Sequence, residues 1–221
     1  KMKNFKNSSK TKIKDIQLYE QRIKKIDLIW VSQIINILKR HFNKKKISLN
    51  DCGCNLFQLY KGIKKKRLNK KISYRGYDHD KNYIKLGLKY FPELKKNFKI
   101  VDLEKRPPKK AEVSILSATM EHFINPDKGL KNILSATKRL IIIRSFFGER
   151  KIKKLFKNRN FVDNPYYINQ FSFSWIKKKL SNQNFKKINI YKDKATKGKS
   201  RMIYPGIDRK FFIITAEKHE N

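Results

Sequence analysis

The sequence predicts an α/β fold: a Rossmann-like three-layer sandwich on a mostly parallel seven-stranded sheet, closed by an antiparallel C-terminal hairpin. Between Ile47 and Phe146, short β-like runs alternate with helical ones. Right-handed crossovers convert that order into a parallel sheet with helices on both faces. Arg139–Phe146, with Leu-Ile-Ile-Ile at its centre, is apolar along its core, as a strand covered on both faces must be. Towards the C-terminus two strand-like runs follow one another with no helix between them, and such a pair folds back as a hairpin.

The elements follow in order. Residues Lys1 to Lys12 are polar and basic, which predicts a disordered terminus. A single domain is expected over 13–221, with N-terminal helices over 13–45. Ile16, Tyr19, Ile23, Ile26, Ile29, Trp30, Ile34 and Leu38 recur at helical spacing, so one or two amphipathic helices fill Lys14–His41. Asn43-Lys-Lys-Lys46 breaks the pattern. Ile47–Asp51 reads as strand one and Cys54–Ile63 as a helix. Ile72–Asp78 is strand two, His79–Phe91 a helix, and Phe98–Asp102 strand three. Lys105-Arg-Pro-Pro-Lys109 is a loop, because two prolines continue neither element. Glu112–Ala118 is strand four, Pro126–Lys138 a helix with an early proline, and Arg139–Phe146 strand five. Glu149–Gln170 shows no clear period and opens an insertion over 149–185. Phe171–Leu180 is a helix carrying Trp175. Lys187–Lys192 and Arg209–Thr215 are the closing strands, joined by a basic loop through Gly198 and Pro205.

Composition bounds the function. The chain has 221 residues, enough for one domain of ordinary size. With 39% hydrophobic residues it can build a core, although its mean hydropathy is −0.73. No run reaches the eighteen or so apolar residues of a membrane span, and no secretory signal is visible, so a cytoplasmic location is expected. Cys52 and Cys54 sit one residue apart, too close for a relaxed disulfide. With His79 and His122 far along the chain, they do not make a zinc spacing. Two thiols in a reducing compartment, and no metal, are expected. Fifty-six Lys+Arg against 18 Asp+Glu give a net charge of +38. Two readings stay open. The charge suits a nucleic-acid partner, but 45 of the 56 are Lys spread from end to end among many Ile and Asn, as a compositional bias would leave them. Guanidinium, the better fork for phosphate, is scarce.

Ligands of an open α/β sheet bind beyond the carboxyl ends of its strands. Those ends read Asn50-Asp-Cys-Gly-Cys-Asn55, Gly76-Tyr-Asp78, Val101-Asp-Leu103 and Ser117-Ala-Thr-Met-Glu-His122. A carboxylate at Asp78 can accept both hydroxyls of a ribose. Asp102 can accept from an exocyclic amine of adenine, and Asp51 can orient groups toward an ammonium. Gly53 permits close backbone approach. Too few glycines are present for a pyrophosphate, so the pocket suits a nucleoside carrying an amino acid. Plainer roles stand beside these: Asp51 as a helix cap, Asp78 as a turn residue, His122 as a structural histidine.

Leu49-Asn-Asp-Cys-Gly-Cys-Asn55, Tyr74-Arg-Gly-Tyr-Asp78, Val101-Asp102 and Ser114-Ile-Leu-Ser-Ala-Thr-Met-Glu-His122 together resemble the motifs of the class I S-adenosylmethionine-dependent methyltransferases. The resemblance covers about Ile13–Phe147 in order and spacing. The family's first motif is an acid, a variable residue, then Gly-x-Gly-x-Gly. Here its second and third glycines are Asn55 and Phe57. Asn tolerates positive φ, and Phe57 is expected inside the following helix. The resemblance implies S-adenosylmethionine as cofactor, over Gly53. Asp51, Cys52 and Cys54 would line its methionine part, Asp78 would hold the ribose with His79 beside the adenine, and Asp102 and Leu103 would flank that ring. Ser117 and Ala118 would lie beneath the sulfonium. Glu121 and His122 are the catalytic candidates. Arg144, Tyr166, Tyr167 and Trp175 are the substrate candidates, making 149–185 a substrate-side insertion, and Tyr19 and Trp30 are candidate lid residues. Asn164-Pro-Tyr-Tyr167 resembles the Asn-Pro-Pro-Tyr signature of base-amine methyltransferases. It lies after strand five rather than strand four, and so reads as a turn with two packing tyrosines.

The activity implied is methylation of a small molecule, such as a sugar or surface-glycan precursor. A tRNA or rRNA methyltransferase and an inactive methyltransferase-like binding protein are the alternatives. Oligomeric state is not legible.

Overall fold

A computed structural model describes residues 13–25, 27–42, 46–157 and 165–218. Residues 1–12, where disorder was expected, lie outside the described residues, as do Ile26, 43–45 and Asn164. Two helices lead in, α1 (Ile13–Lys25) and α2 (Ile29–His41). Then β1 (Ile47–Cys52), β2 (Ile72–Asp78), β3 (Phe98–Ile100), β4 (Ala111–Ser117) and β5 (Thr137–Gly148) alternate with α3 (Gln58–Lys65), α4 (Lys81–Tyr90) and α5 (Pro126–Ala136). β1 pairs in parallel with both β2 and β4, β2 with β3, and β4 with β5. The strand order therefore reverses beside β1, where an open sheet leaves its ligand crevice.

The segment after β5 carries a two-stranded antiparallel ribbon, β6 (Leu155–Phe156) and β7 (Tyr166–Tyr167), then β8 (Phe171–Ser172), which pairs with the end of β5. After α6 (Phe173–Ser181) come β9 (Phe185–Lys192), β10 (Ser200–Tyr204) and β11 (Ile207–Lys218). β11 is antiparallel to β5, to β9 and to β10. The expected closing pair is present, but the loop expected between its strands contains a strand of its own: β10 hairpins with a longer β11 through Gly206, whose φ is +71°. Short β8 and β10 bring the sheet from the expected seven strands to nine among the described residues.

Period-two alternation sorts the core onto the two faces of the sheet. Leu49, Val113, Ile115, Leu140, Ile142 and Ile213 pack with Ile34, Ile35, Ile63 and Ile84 of α2, α3 and α4. Cys52, Leu116, Ile141, Ile143 and Ile214 pack on the other face with residues of α5 and α6, among them Leu130, Ile133, Ile176 and Leu180. The isoleucine run of β5 thus feeds both faces, as its uninterrupted apolar character predicts.

Local chemistry moves several boundaries. α4 begins at Lys81 rather than His79 because Asp80 caps it, accepting from the Asn82 amide at 2.8 Å. α5 ends at Ala136, and β5 takes over at Thr137, whose hydroxyl donates back to the Ile133 carbonyl at 2.7 Å. The largest shift is in α3. Its expected start at Cys54 moves to Gln58 because Asn55 and Phe57 both adopt left-handed backbone, with φ of 49° and 60°. Phe57 is therefore the residue before the helix, not part of it. Its ring is fully buried and fits only because two neighbours lack side chains: a Cβ on Gly76 would lie 2.9 Å from the ring, and one on Gly87 2.7 Å. The glycine missing from the first motif is offset by glycines on β2 and α4.

Gly87→Ala should overpack this contact and lower stability by about 1–3 kcal/mol, read from urea unfolding. The cost should shrink in a Phe57→Leu background, since residues in contact couple. Equal costs in both backgrounds would refute the contact.

Candidate active site

The turn after β1 is drawn onto β2 by its backbone. The amides of Gly53 and Cys54 both donate to the Tyr77 carbonyl, at 2.7 and 3.0 Å. Gly53 has φ of +85°, left-handed backbone that favours glycine. A Cβ there would lie 2.0 Å from Thr119 Oγ1. The close neighbour that demands glycine is thus the Thr119 side chain beyond β4, which fastens the first motif to the fourth.

Asp78 closes the constellation. Its Oδ2 accepts from the Asn55 amide at 2.8 Å and its Oδ1 from the Asp80 amide at 3.0 Å. His79 Nδ1 lies 3.7 Å from Oδ1. Burial pushes the Asp78 carboxyl up, opposed first by the His79 charge and then by the two amides. A carboxylate has about four acceptor positions, so two amides leave capacity for further donors. The Val101 amide donates to the Asp78 carbonyl at 2.8 Å, which brings Asp102 alongside. Asp102 Oδ1 accepts from the Glu104 amide at 2.9 Å, and its Oδ2 lies 3.5 Å from Lys105. Leu103 is buried in the cluster that holds Cys52 and Tyr77.

Asp51 faces inward. Its Oδ2 accepts from the Tyr74 hydroxyl at 2.6 Å. Burial raises its pKa to about 7, the Tyr74 hydrogen bond lowers it, and the Asp78 charge adds to the rise. Cys52 and Cys54 are buried free thiols, both pushed up chiefly by burial. They point into opposite faces of the sheet, Cys54 beside α3 and α4 and Cys52 beside α5.

Beyond β4 the chain turns sharply through Ala118, at φ of 53°, whose amide donates to the Arg144 carbonyl at 2.8 Å. Ser117 Oγ is buried with no hydrogen-bond partner among the described residues. Glu121 is buried, and its Oε2 accepts from Ser145 Oγ at 2.7 Å. The next side chain, His122, is exposed and sits 5.2 Å, ring to ring, from Tyr166. His122 Nδ1 lies 2.9 Å from the Tyr167 carbonyl. A carbonyl only accepts, so Nδ1 carries the hydrogen and Nε2 of the neutral ring keeps its lone pair.

The four substrate candidates do not form one wall. Arg144 is nearly buried and committed to Asp193, Nε to Oδ1 at 2.9 Å and Nη2 to Oδ2 at 3.2 Å. Its guanidinium lies 3.9 Å from the Phe211 ring and 5.6 Å from Trp30. Trp175 stacks on Phe171 at 5.0 Å and packs with the α5–α6 cluster, on the face opposite to Arg144. Tyr166 and Tyr167, on the ribbon strand β7, are the two that reach His122. Tyr19 packs edge-on against Tyr83 of α4 at 5.3 Å. Sequence reasoning missed Thr119, Tyr74, Ser145 and Asp193. Of these, Tyr74 and Thr119 lay inside quoted motifs, but without the roles the structure gives them.

The residues fit a nucleoside-bearing ligand on two observations: the unpartnered Ser117 Oγ and the spare acceptor capacity of Asp78. No group of three or more His, Cys, Asp or Glu side chains able to hold an ion occurs among the described residues.

Asp51 supplies a pH test. Its folded pKa of about 7 lies above the usual 3.8, so the folded state holds the proton more tightly. Its contribution to stability is fully present below about pH 4 and is lost as pH rises through about 7. Asp51→Asn keeps an acceptor for Tyr74 and cannot titrate. Its stability relative to wild type should therefore climb between pH 4 and 7 and level off above. A difference that stays flat across that range would contradict the burial of this carboxyl.

By sequence, no family model and no curated protein matches the chain. By fold, many solved structures do. Magnesium protoporphyrin IX methyltransferase from Synechocystis PCC 6803, with bound S-adenosylmethionine, is 17% identical at a TM-score of 0.59, over 93% of this chain and 83% of that one. An S-adenosylmethionine-dependent methyltransferase from Clostridium acetobutylicum ATCC 824 is 11% identical at a TM-score of 0.64, over 94% and 98%. The 1,6-didemethyltoxoflavin-N1-methyltransferase of Burkholderia thailandensis, with its substrate and S-adenosylhomocysteine bound, is 12% identical at a TM-score of 0.60, over 91% and 84%. The strand order around β1, the antiparallel closing strand and these superpositions agree: the chain has the fold of the class I S-adenosylmethionine-dependent methyltransferases.

Proposed function

We propose that the chain is an S-adenosylmethionine-dependent methyltransferase acting on a small molecule. The observation that carries the reading is the buried Asp78 carboxylate, bonded to the turn after β1 and poised with two acceptor positions at the carboxyl edge of the sheet. Neighbours of the same fold bind S-adenosylmethionine or S-adenosylhomocysteine and act on small acceptors such as a porphyrin or a toxoflavin precursor.

Asp78 would accept the ribose hydroxyls, with His79, Asp102 and Leu103 around the adenine. The Gly53 turn and Ser117 would meet the remainder, with Asp51, Cys52 and Cys54 behind it. The bound cofactor supplies a methyl group already activated on a sulfonium. The protein's part is then to align the acceptor and exclude water. His122 holds its Nδ1 hydrogen on the Tyr167 carbonyl and presents Nε2 to take a proton from an acceptor hydroxyl or ammonium. Glu121, bonded to Ser145, fixes the turn that aims His122 and is a positioning residue. Tyr166 and Tyr167 border the acceptor. A sugar or glycan precursor belongs to this class, since the exposed His122 offers it a hydrogen bond. A reducing, cytoplasmic setting suits the two free thiols. The net charge of +38 favours one further reading, an RNA acceptor, whose affinity would fall steeply with salt.

Calorimetry with S-adenosylhomocysteine should show saturable binding, weakened at least about tenfold in Asp78→Ala. That is roughly the 1.4 kcal/mol lost with one charge-assisted hydrogen bond. Heat-silent titration of folded wild type would favour an inactive relative. His122→Gln should leave that affinity unchanged while slowing methyl transfer about 10²–10⁴-fold; unchanged turnover would remove His122 as the base.

A further inference from the structure

Arg209 stands out among the cations of this chain. It is 8% exposed, yet no carboxylate among the described residues lies within ion-pair distance of it. Its Nη1 donates to the carbonyl of its own neighbour Asp208 at 2.7 Å, and its Nε is buried with no partner. Burial draws its guanidinium below the usual range, opposed by the charge of its neighbour Asp208. A guanidinium removed from water is costly unless paired, and five donors are poorly served by one carbonyl. Arg144 shows how this fold treats a buried guanidinium it uses internally: a two-point bond to Asp193, with two aromatic rings against it. Arg209 has none of these.

β11 pairs Phe211 with Phe146 near the end of β5, so Arg209 lies beside the carboxyl edge of the sheet. Alternation puts its side chain on the face of Phe211 and Ile213, the face that carries Arg144 and Ser117. Phe212, on the opposite face, meets Phe173 of α6 instead. The flanking residues Ile207 and Phe211 belong to a cluster with Phe146, Phe156, Ile168, Tyr166 and Tyr204, and Tyr166 is the ring against which His122 rests. A buried guanidinium fork thus borders an aromatic cluster that ends at the candidate base.

We propose that Arg209 is a specificity-determining residue that binds a carboxylate or phosphate group on the methyl acceptor, with the aromatic cluster taking the acceptor's apolar body. The assignment rests on the methyl-transfer reading of the same edge. Guanidinium pairs with both oxyanions through two parallel hydrogen bonds. A side chain only 8% exposed suits a compact anion rather than a polymer backbone.

Anion binding is measurable without cofactor or acceptor. Thermal unfolding of the full chain would be followed in sodium phosphate, sodium acetate and sodium chloride at matched ionic strength, for wild type, Arg209→Met, Arg209→Lys and the exposed cross-strand control Arg201→Met. Phosphate stabilises proteins generally by exclusion, so the reading is the difference between variants. Wild type and Arg201→Met should gain an extra rise in Tm of about 3–6 °C at ten times the Kd of the preferred anion. Arg209→Met should lose that rise, and Arg209→Lys should lose most of it with the fork. In chloride, Arg209→Met should unfold no lower than wild type, because it removes a largely desolvated charge that only a backbone carbonyl and the neighbouring Asp208 charge offset. Which of phosphate and acetate produces the rise names the acceptor's anion. No anion-specific rise in wild type, or the same rise in Arg209→Met, would overturn the assignment even where S-adenosylhomocysteine binds. The rise without S-adenosylhomocysteine binding would sink the methyl-transfer reading, and the acceptor role with it.

Discussion

The carboxyl edge of this sheet depends on one buried carboxylate. Asp78 accepts from Asn55 in the turn after β1 and from Asp80 at the start of α4, so a single side chain fixes two loops that sequence places more than twenty residues apart. A carboxylate in that position is expensive to desolvate, and the His79 charge and the two amides offset that cost. Around it the fit is tight. Thr119 leaves room for nothing larger than glycine at position 53, and the Phe57 ring imposes glycine at 76 and 87. The first motif, poor in glycine by the standard of the fold, is held by contacts that put glycines elsewhere.

Much of this was legible in the sequence. The alternation of strand and helix, the isoleucine run of β5 and the acids at three strand ends gave the architecture and the edge at which a ligand would sit, because burial and period are local properties of the chain. The positive φ of Phe57 was not legible, since an aromatic residue before a helix ordinarily continues it; the compensating glycines lie on other elements. Strand β10 was hidden by its charge. Ser200-Arg-Met-Ile-Tyr204 reads as loop until β11 pairs with it. The partners of Asp51, Glu121 and Arg144 were invisible for a common reason. Tyr74, Ser145 and Asp193 lie 23, 24 and 49 positions away, and spacing carries no signal at that range.

Charge in this protein divides into two kinds. Most of the 56 basic residues are lysines carried along exposed faces, including Lys186, Lys187 and Lys192 on β9, where charge also blunts an exposed edge strand. They set solubility and attraction to anions at a distance. The two arginines buried among the described residues are different. Arg144 welds β5 to the short helical turn after β9 through Asp193, whose Oδ2 also accepts from the Thr196 amide at 3.0 Å. Arg209 has no such weld. On one face of one sheet, the fold shows a guanidinium used as a structural tie and another that meets no carboxylate at ion-pair distance among the described residues.

The most direct test of the account is the structure of the chain crystallised with S-adenosylhomocysteine. The ribose hydroxyls should lie within about 3 Å of the Asp78 oxygens, with Asn55 still bonded to that carboxylate and the adenine between His79 and Leu103. A ligand bound elsewhere, or an Asp78 that keeps its backbone partners and touches no ribose, would contradict it.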